Sequence, residues 1–308
     1  MKSSLFAALS LGLLIGFQSH AQRTPSPSPA ASLSQTVGIT DFQVNYSRPG
    51  LKGRAAFGAA ADAQTVRPYG QVWRTGANAA TTIKLSTDAS VEGQNLPAGT
   101  YSLFSIPAAS GNWTVIFNKD VNATEQSYKP EDDALRVNVA PQNHGKLESF
   151  TIWFSDLTDS TAHFNFGWDQ TMVATKVAVK TSALVEAGVA KSLAEKPEDP
   201  AVNQRAANYY LGQGKDLQKG LTLIDKALAA GENYQKLWTK AQLLMKLSNF
   251  KEALPVAQKA LALGNANPDN AFNVFFKGQI ENGLKDIQAK LPSVDELKKK
   301  VSGKKKKA

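Results

Sequence analysis

The 308-residue chain carries 35 Lys+Arg against 26 Asp+Glu, a net charge of +9, and no cysteine. A disulfide framework, a thiolate nucleophile and a cysteine-ligated metal are therefore excluded, and the length suits one large or two ordinary domains. The charge is not a nucleic-acid footprint, because Lys298, Lys299, Lys300 and Lys304 to Lys307 supply +7 of it and make it the property of a tail.

Lys2 followed by the apolar run Leu5 to Phe17 and by Ser19-His20-Ala21 reads as a secretory signal peptide over 1–21, with cleavage after Ala21. The apolar run is shorter than the roughly 20 residues that cross a bilayer, so no membrane span is expected. An exported, soluble product, periplasmic or extracellular, is the expectation. Residues 22–34, with Pro25, Pro27 and Pro29 among serines and alanines, read as a linker.

From 35 to 181 the apolar residues recur with period 2. Ile39, Phe42, Val44 and Tyr46 open the pattern, followed by Thr82 to Leu85, Tyr101 to Ile106, Trp113 to Phe117, Leu135 to Val139, Phe150 to Phe154, His163 to Phe166 and Val173 to Val179. Short β-branched and aromatic runs punctuated by Pro97-Ala98-Gly99 and Ser110-Gly111-Asn112 predict an antiparallel, jelly-roll-like β-sandwich.

Beyond Ser182 the apolar spacing becomes 3 and 4, which makes the whole an α+β multidomain chain. A connecting helix is predicted over 182–198. Asp225-Lys-Ala-Leu-Ala-Ala-Gly231 recurs 33 residues on as Gln258-Lys-Ala-Leu-Ala-Leu-Gly264, so 199–291 resembles a tetratricopeptide-like, all-α helical-repeat domain. Asp199-Pro200 and Asn267-Pro268 read as helix starts, and Gly231 and Gly264 as residues just past helix ends. Phe272, Phe275, Phe276, Ile280, Leu284, Ile287 and Leu291 form the apolar stripe of a closing helix. Ser293 and Glu296 then cap a short helix running into the lysine tail, 292–308.

Candidate chemistry is sparse. His144 and His163 cannot make a three-histidine centre; His163 is expected on a strand and His144 in a loop. No cofactor fingerprint or phosphate-cradling loop appears, and no cofactor is expected. The richest constellation lies between Tyr46 and Asn78, where Arg48, Arg54, Arg67 and Arg74 stand beside Tyr46, Tyr69 and Trp73 with Asp62 as the sole acid. Guanidinium forks and aromatic faces hold carboxylates, phosphates or sugars, so Arg48, Arg54, Tyr69, Trp73, Arg74 and Asn78 are the candidate ligand-binding residues. Alternatively, the arginines tie loops together through backbone carbonyls and carboxylates such as Asp88 or Glu92.

Tyr46-Ser-Arg-Pro49, Pro68-Tyr-Gly-Gln-Val-Trp-Arg-Thr-Gly-Ala-Asn78, Leu96-Pro-Ala-Gly-Thr-Tyr101 and Trp113-Thr-Val-Ile-Phe-Asn-Lys119 resemble the secreted bacterial family called domain of unknown function 2911, over about 35–180. The resemblance implies an exported β-sandwich and no catalytic residue. The chain departs from the family pattern after Asp120 and at Gly167-Trp168-Asp169-Gln170. The expected function is that of a noncatalytic binding or scaffold protein, its sandwich taking a polar or glycan-like ligand or a partner and its helical repeats docking a protein segment. The competing expectations are an envelope hydrolase or carbohydrate-modifying enzyme using Asp88, Glu92 or Asp156 beside Arg74, and a purely structural envelope protein.

Overall fold

The computed structural model describes residues 24–291, so the leader, the capping box at Ser293 and Glu296 and the lysine tail lie outside the described residues. The chain divides into two compact units between Thr181 and Ser182.

The first unit is a β-sandwich of twelve strands. β1 (Ala30–Val37), β2 (Thr40–Ser47), β5 (Thr81–Leu85), β8 (Gly99–Ile106), β9 (Trp113–Asn118) and β10 (Asp133–Val139) form a six-stranded sheet in the order β1-β2-β5-β8-β9-β10. β11 (Gln142–Ser155), β12 (Thr161–Val179), β6 (Ala89–Val91) and β7 (Gln94–Leu96) form the facing sheet, in the order β11-β12-β6-β7. Every pairing within these two sheets is antiparallel; β3 (Ala55–Gly58) and β4 (Thr65–Pro68) make a separate parallel pair. Alternation drives the packing: along β2, Thr40, Phe42, Val44 and Tyr46 are buried while Asp41, Gln43 and Asn45 are exposed.

One core joins the two sheets, and its centre is aromatic. Phe57 meets Trp73, Trp113 and Trp168 edge-on, and Trp73 stacks on Trp168 with ring centroids 5.9 Å apart. Trp168 is 1% exposed and donates its indole N–H to the Glu148 carbonyl at 3.3 Å. A second, smaller cluster lies on the other face of β8 and β9, where Phe104 and Ile116 are covered by Ala123 and Tyr128 of the segment 119–132. That lid of chain bears on the site described below.

Two expectations are corrected here. The linker predicted over 22–34 ends earlier, because β1 begins at Ala30; once Pro29 is passed, Ala31 and Leu33 pack against the core while Ser32 and Ser34 stay exposed, an alternation too small-sided to stand out among the serines. His144 lies within β11 rather than a loop, its ring beside Trp153.

The second unit is all-helical: α1 (Thr181–Glu195), α2 (Pro200–Gln213), α3 (Leu217–Ala229), α4 (Tyr234–Lys246), α5 (Phe250–Ala266), a π-helical turn Phe272–Phe276 and α6 (Lys277–Lys290). The start of α4 follows that of α2 by 34 residues, and α5 follows α3 by 33. Buried positions recur at the same offset, Gly220 with Ala253, Ile224 with Ala257 and Ala227 with Ala260, as a repeating helix pair requires. Asp199 caps α2, its carboxylate accepting from the amides of Ala201 and Val202 at 2.8 and 3.1 Å, with Pro200 in the first turn.

Gly231 stands just past the end of α3, as expected, with φ +137°, but the boundaries around Gly264 and Asn267 differ from expectation. Gly264 lies inside α5, not beyond its end, and is a glycine because the Phe272 ring occupies the space of a Cβ. The helix after α5 is capped by Asp269, which accepts from the Phe272 amide at 2.6 Å, rather than by Asn267. Phe275 is 61% exposed and leaves the buried stripe, because hydrogen bonds five residues apart across Phe272–Phe276 break the 3.6-residue phase. Among the described residues no helix is long and apolar enough to cross a membrane.

Candidate functional site

The stretch Val72–Asn78 joins β4 to β5 and holds unusual backbone. Thr75 has φ +47°, Gly76 φ +156° and Asn78 φ +61°. A β-branched residue in the left-handed region is a genuine outlier, at a cost of about 1–3 kcal/mol. It persists because its neighbours over-determine it. Trp73 exchanges backbone hydrogen bonds with Ser105 at 2.8 Å in each direction, and its indole donates to the Gly76 carbonyl at 2.8 Å. The Thr75 hydroxyl bonds Ser105 Oγ at 2.9 Å, and Thr81 Oγ1 donates to the Thr75 carbonyl at 2.8 Å. A Cβ on Gly76 would stand 2.6 Å from Thr81 Oγ1, so the turn admits only glycine there.

Arg74 and Asn78 close the loop. The Arg74 guanidinium donates to the Asn78 carbonyl and pairs with Glu125, whose other oxygen lies 3.1 Å from Arg67. The Asn78 amide donates to the Ser28 carbonyl at 3.1 Å and to Ser47 Oγ at 3.4 Å. Glu125 arrives from the segment pinned by Ala123 and Tyr128 over Phe104 and Ile116. Burial raises the Glu125 carboxyl pKa, but the hydrogen bond from Arg74 and the charges of Arg67 and Arg74 together outweigh it and leave the carboxyl below its ordinary value. Burial likewise pushes the Arg67 guanidinium down, with Glu125 opposing and Arg74 adding to the fall.

The other candidates are anchored too. Arg48 donates from Nε to the Phe150 carbonyl at 3.0 Å and from Nη2 to Thr151 Oγ1 at 2.7 Å. Arg54 turns back on the carbonyls of Leu51, at 3.0 Å, and Gly50, at 3.4 Å. Trp73 is 1% exposed, inside the aromatic centre, while Tyr69 is half-buried and bonds Gly58 through its backbone at 2.9 Å. The carboxylates considered for catalysis lie elsewhere. Asp88 accepts from the Ala98 amide at 2.7 Å, Glu92 from the Lys176 amide at 2.5 Å, and exposed Asp156 faces His163 Nδ1 at 3.0 Å. Among the described residues no group of three or more His, Asp or Glu side chains could hold a metal ion.

What the pinned loop builds is the wall of a cleft. Ala79 and Ala80, directly after Asn78, face Ala30, Ala31 and Ser32 of β1 and Asn45, Tyr46 and Ser47 of β2 across about 370 Å³. The lining residues are four alanines, two serines, an asparagine and a tyrosine, with no charged residue. The Tyr46 side chain points into the sandwich core, 7% exposed, where its hydroxyl accepts from the Ile152 amide at 3.2 Å. The sequence singles out the arginines; the cleft is lined by the small residues between them. Glu125 is absent from the sequence reading because 51 positions separate it from Arg74.

Residues 28–177 match the family described as Protein of unknown function (DUF2911). No curated protein and no solved structure matches the chain. The matched span takes in β1 to β11, most of β12 and the whole cleft, so it is the β-sandwich of this chain that is similar to the DUF2911 family.

Proposed function

We propose that this is an exported, noncatalytic binding protein whose β-sandwich takes a neutral, hydroxyl-rich ligand of sugar size in the cleft between β1, β2 and Ala79-Ala80. The strained loop, pinned by Trp73, Thr75, Thr81 and Glu125, carries this reading: backbone outliers cluster where structure is held for a purpose, and here they set one wall of a cleft in the size range of ligand sites. Ser32, Asn45 and Ser47 supply donors and acceptors without charge, which suits hydroxyls better than a carboxylate or phosphate. Arg48, Arg54, Arg74 and Asn78 act behind the cleft, holding its walls through protein carbonyls and Glu125. The hydrolase reading calls for two carboxyls converging beside Arg74, whereas the carboxylate there is Glu125, shared by two guanidiniums. Export rests on the leader pattern of residues 1–21. The helical unit, whose paired helices recur at tetratricopeptide-like offsets, supplies a second surface that docks a protein segment.

The test is thermal unfolding of the mature protein with glucose, N-acetylglucosamine and glucuronic acid, each at about 10 mM, where a ligand at ten times its Kd adds about 1.4 kcal/mol. Glucose or N-acetylglucosamine is expected to raise Tm, glucuronic acid less so, and Ala79→Trp, which fills the cleft, is expected to remove the shift while leaving the unliganded Tm near its starting value. No shift with any of the three sugars, or an undiminished shift in Ala79→Trp, overturns the reading.

A further inference from the structure

Sheet edges expose unpaired N–H and C=O groups, and proteins guard them with charge, proline, bulges or brevity. Three of the four edges of the sandwich sheets are guarded. β10 carries Asp133 and Arg136 and a register shift between Asp133 and Leu135. β11 has two register shifts and carries Lys146 and Glu148, and β7 is three residues long. β1 has none of these: eight residues, Ala-Ala-Ser-Leu-Ser-Gln-Thr-Val, pair with β2 in unbroken register, with no charged residue, no proline and no bulge.

The hydrogen-bond parity of β1 follows from its neighbour. Asp41 directs both its backbone groups to the β5 side, its carbonyl accepting from Ser86 N at 3.0 Å and its amide donating to Ser86 Oγ at 2.8 Å. Its partner across the ladder, Thr36, is therefore in a non-hydrogen-bonded pair, and the backbone groups of Thr36, Ser34, Ser32 and Ala30 point away from β2. Pro29 has the opposite parity, its carbonyl accepting from the Arg48 amide at 2.8 Å. Of the outward row, the Thr36 carbonyl accepts from the Gln35 side chain at 2.9 Å; Ser32 and Ser34 have no backbone partner among the described residues.

We infer that β1 pairs antiparallel with β1 of a second copy of this chain, about a two-fold axis at Ser34, joining two six-stranded sheets into one. A second copy fits because antiparallel pairing of a strand with itself closes as a dimer and goes no further. Centred on Ser34, Ser34 faces its own copy and Ser32 faces Thr36, so the outward groups of all three residues meet partners, and no like charges oppose one another. The prolines at 25, 27 and 29 end the pairing on one side and the Gly38-Ile39 turn ends it on the other.

The mature chain is measured by light scattering after size exclusion from about 1 to 100 μM, beside Ser34→Lys, which sets two ammonium groups opposite each other, and Ser34→Pro, which removes the central outward N–H. Ser34 lies outside the cleft lining, so sugar-induced Tm shifts in these variants keep this inference separate from the cleft. The dimer mass is expected for the unaltered chain, with slowed amide exchange at Ser32, Ser34 and Thr36 that is lost on dilution. Ser34→Lys is expected to raise the dimer Kd about 100-fold or more with an unchanged circular dichroism spectrum. A monomer at 100 μM, or a Ser34→Lys protein that dimerises as the original does, overturns it; should Ser34→Pro unfold, Ser34→Lys alone decides.

Discussion

Replacing Gly264 by alanine sets two well-measured effects against each other. Inside an α-helix such as α5 the change is expected to stabilise by about 1 kcal/mol, because alanine has far less backbone entropy to lose than glycine. At this position, however, the new Cβ would stand within 2.5 Å of Phe272 Cζ and closer still to two other ring atoms. Phe272 is fully buried and held edge-on to Tyr234, with centroids 5.1 Å apart, so the ring has no free direction in which to move. Overpacking of this kind costs about 1–3 kcal/mol, and with three ring atoms involved the upper value applies. The net expectation is a loss of about 2 kcal/mol, or about 8–16 °C in the Tm of a helical unit of this size. Gly188, on the exposed side of α1 with nothing within 4 Å of a Cβ, is the internal control: its alanine variant should gain up to about 1 kcal/mol. Thermal and urea unfolding followed by helical circular dichroism measure both, and Phe272→Leu combined with Gly264→Ala should recover part of the loss. If Gly264→Ala raises Tm as Gly188→Ala does, the close approach of α5 to Phe272 is not as described.

Glu125→Gln leaves Arg67 and Arg74 without their shared carboxylate at sites where both are mostly shielded, and is expected to destabilise the sandwich by about 2–3 kcal/mol in urea unfolding. The same carboxylate gives a pH dependence. Its folded pKa lies below the ordinary 4.5, so its contribution is complete above that value and disappears as pH falls through the lowered one; Glu125→Gln should flatten this part of an acid-unfolding curve. Trp73→Ala, which empties the aromatic centre and frees the Gly76 carbonyl, should cost about 3–5 kcal/mol and abolish any sugar-induced shift together with the fold. Tyr234→Phe removes the hydroxyl bonded to both Asp269 oxygens at 2.9 and 3.0 Å and should lower the stability of the helical unit by about 1 kcal/mol in urea unfolding.

Long strands are readable in this sequence because alternation along β2, β10 and the second half of β12 is set by one buried face, and the change of period after Ser182 marks where helices begin. β6 and β7, three residues each, and the parallel pair β3 and β4 are too short to express a period. β1 hides in a Pro/Ser/Ala composition that a linker shares. Helix ends mislead at Gly264 and Asn267-Pro268 because a glycine and a capping-type residue before proline are signals of local preference, while Phe272 and Asp269 decide those positions through contact. In the site, the Val72–Asn78 string is conspicuous as a cluster of functional-looking residues, yet its one arginine, Arg74, turns to the Asn78 carbonyl and to Glu125. Which carboxylate would come to it depends on how 119–132 lies over Phe104 and Ile116, and no local pattern encodes that. The cleft itself is lined by alanines and serines, residue types that carry no individual signal.

The aromatic centre has a spectroscopic consequence. Of five tryptophans in the chain, Trp73, Trp113, Trp153 and Trp168 belong to the sandwich, and all but Trp153 are at most 2% exposed. Trp73 and Trp168, nearly parallel at 23°, come from strand-linked segments 95 positions apart, so their indole transitions couple only while both sheets are closed. Because Trp73 also holds the Gly76 carbonyl, the emission and the exciton-type dichroism of this pair form a native optical probe of the cleft wall, readable without a label or a dye.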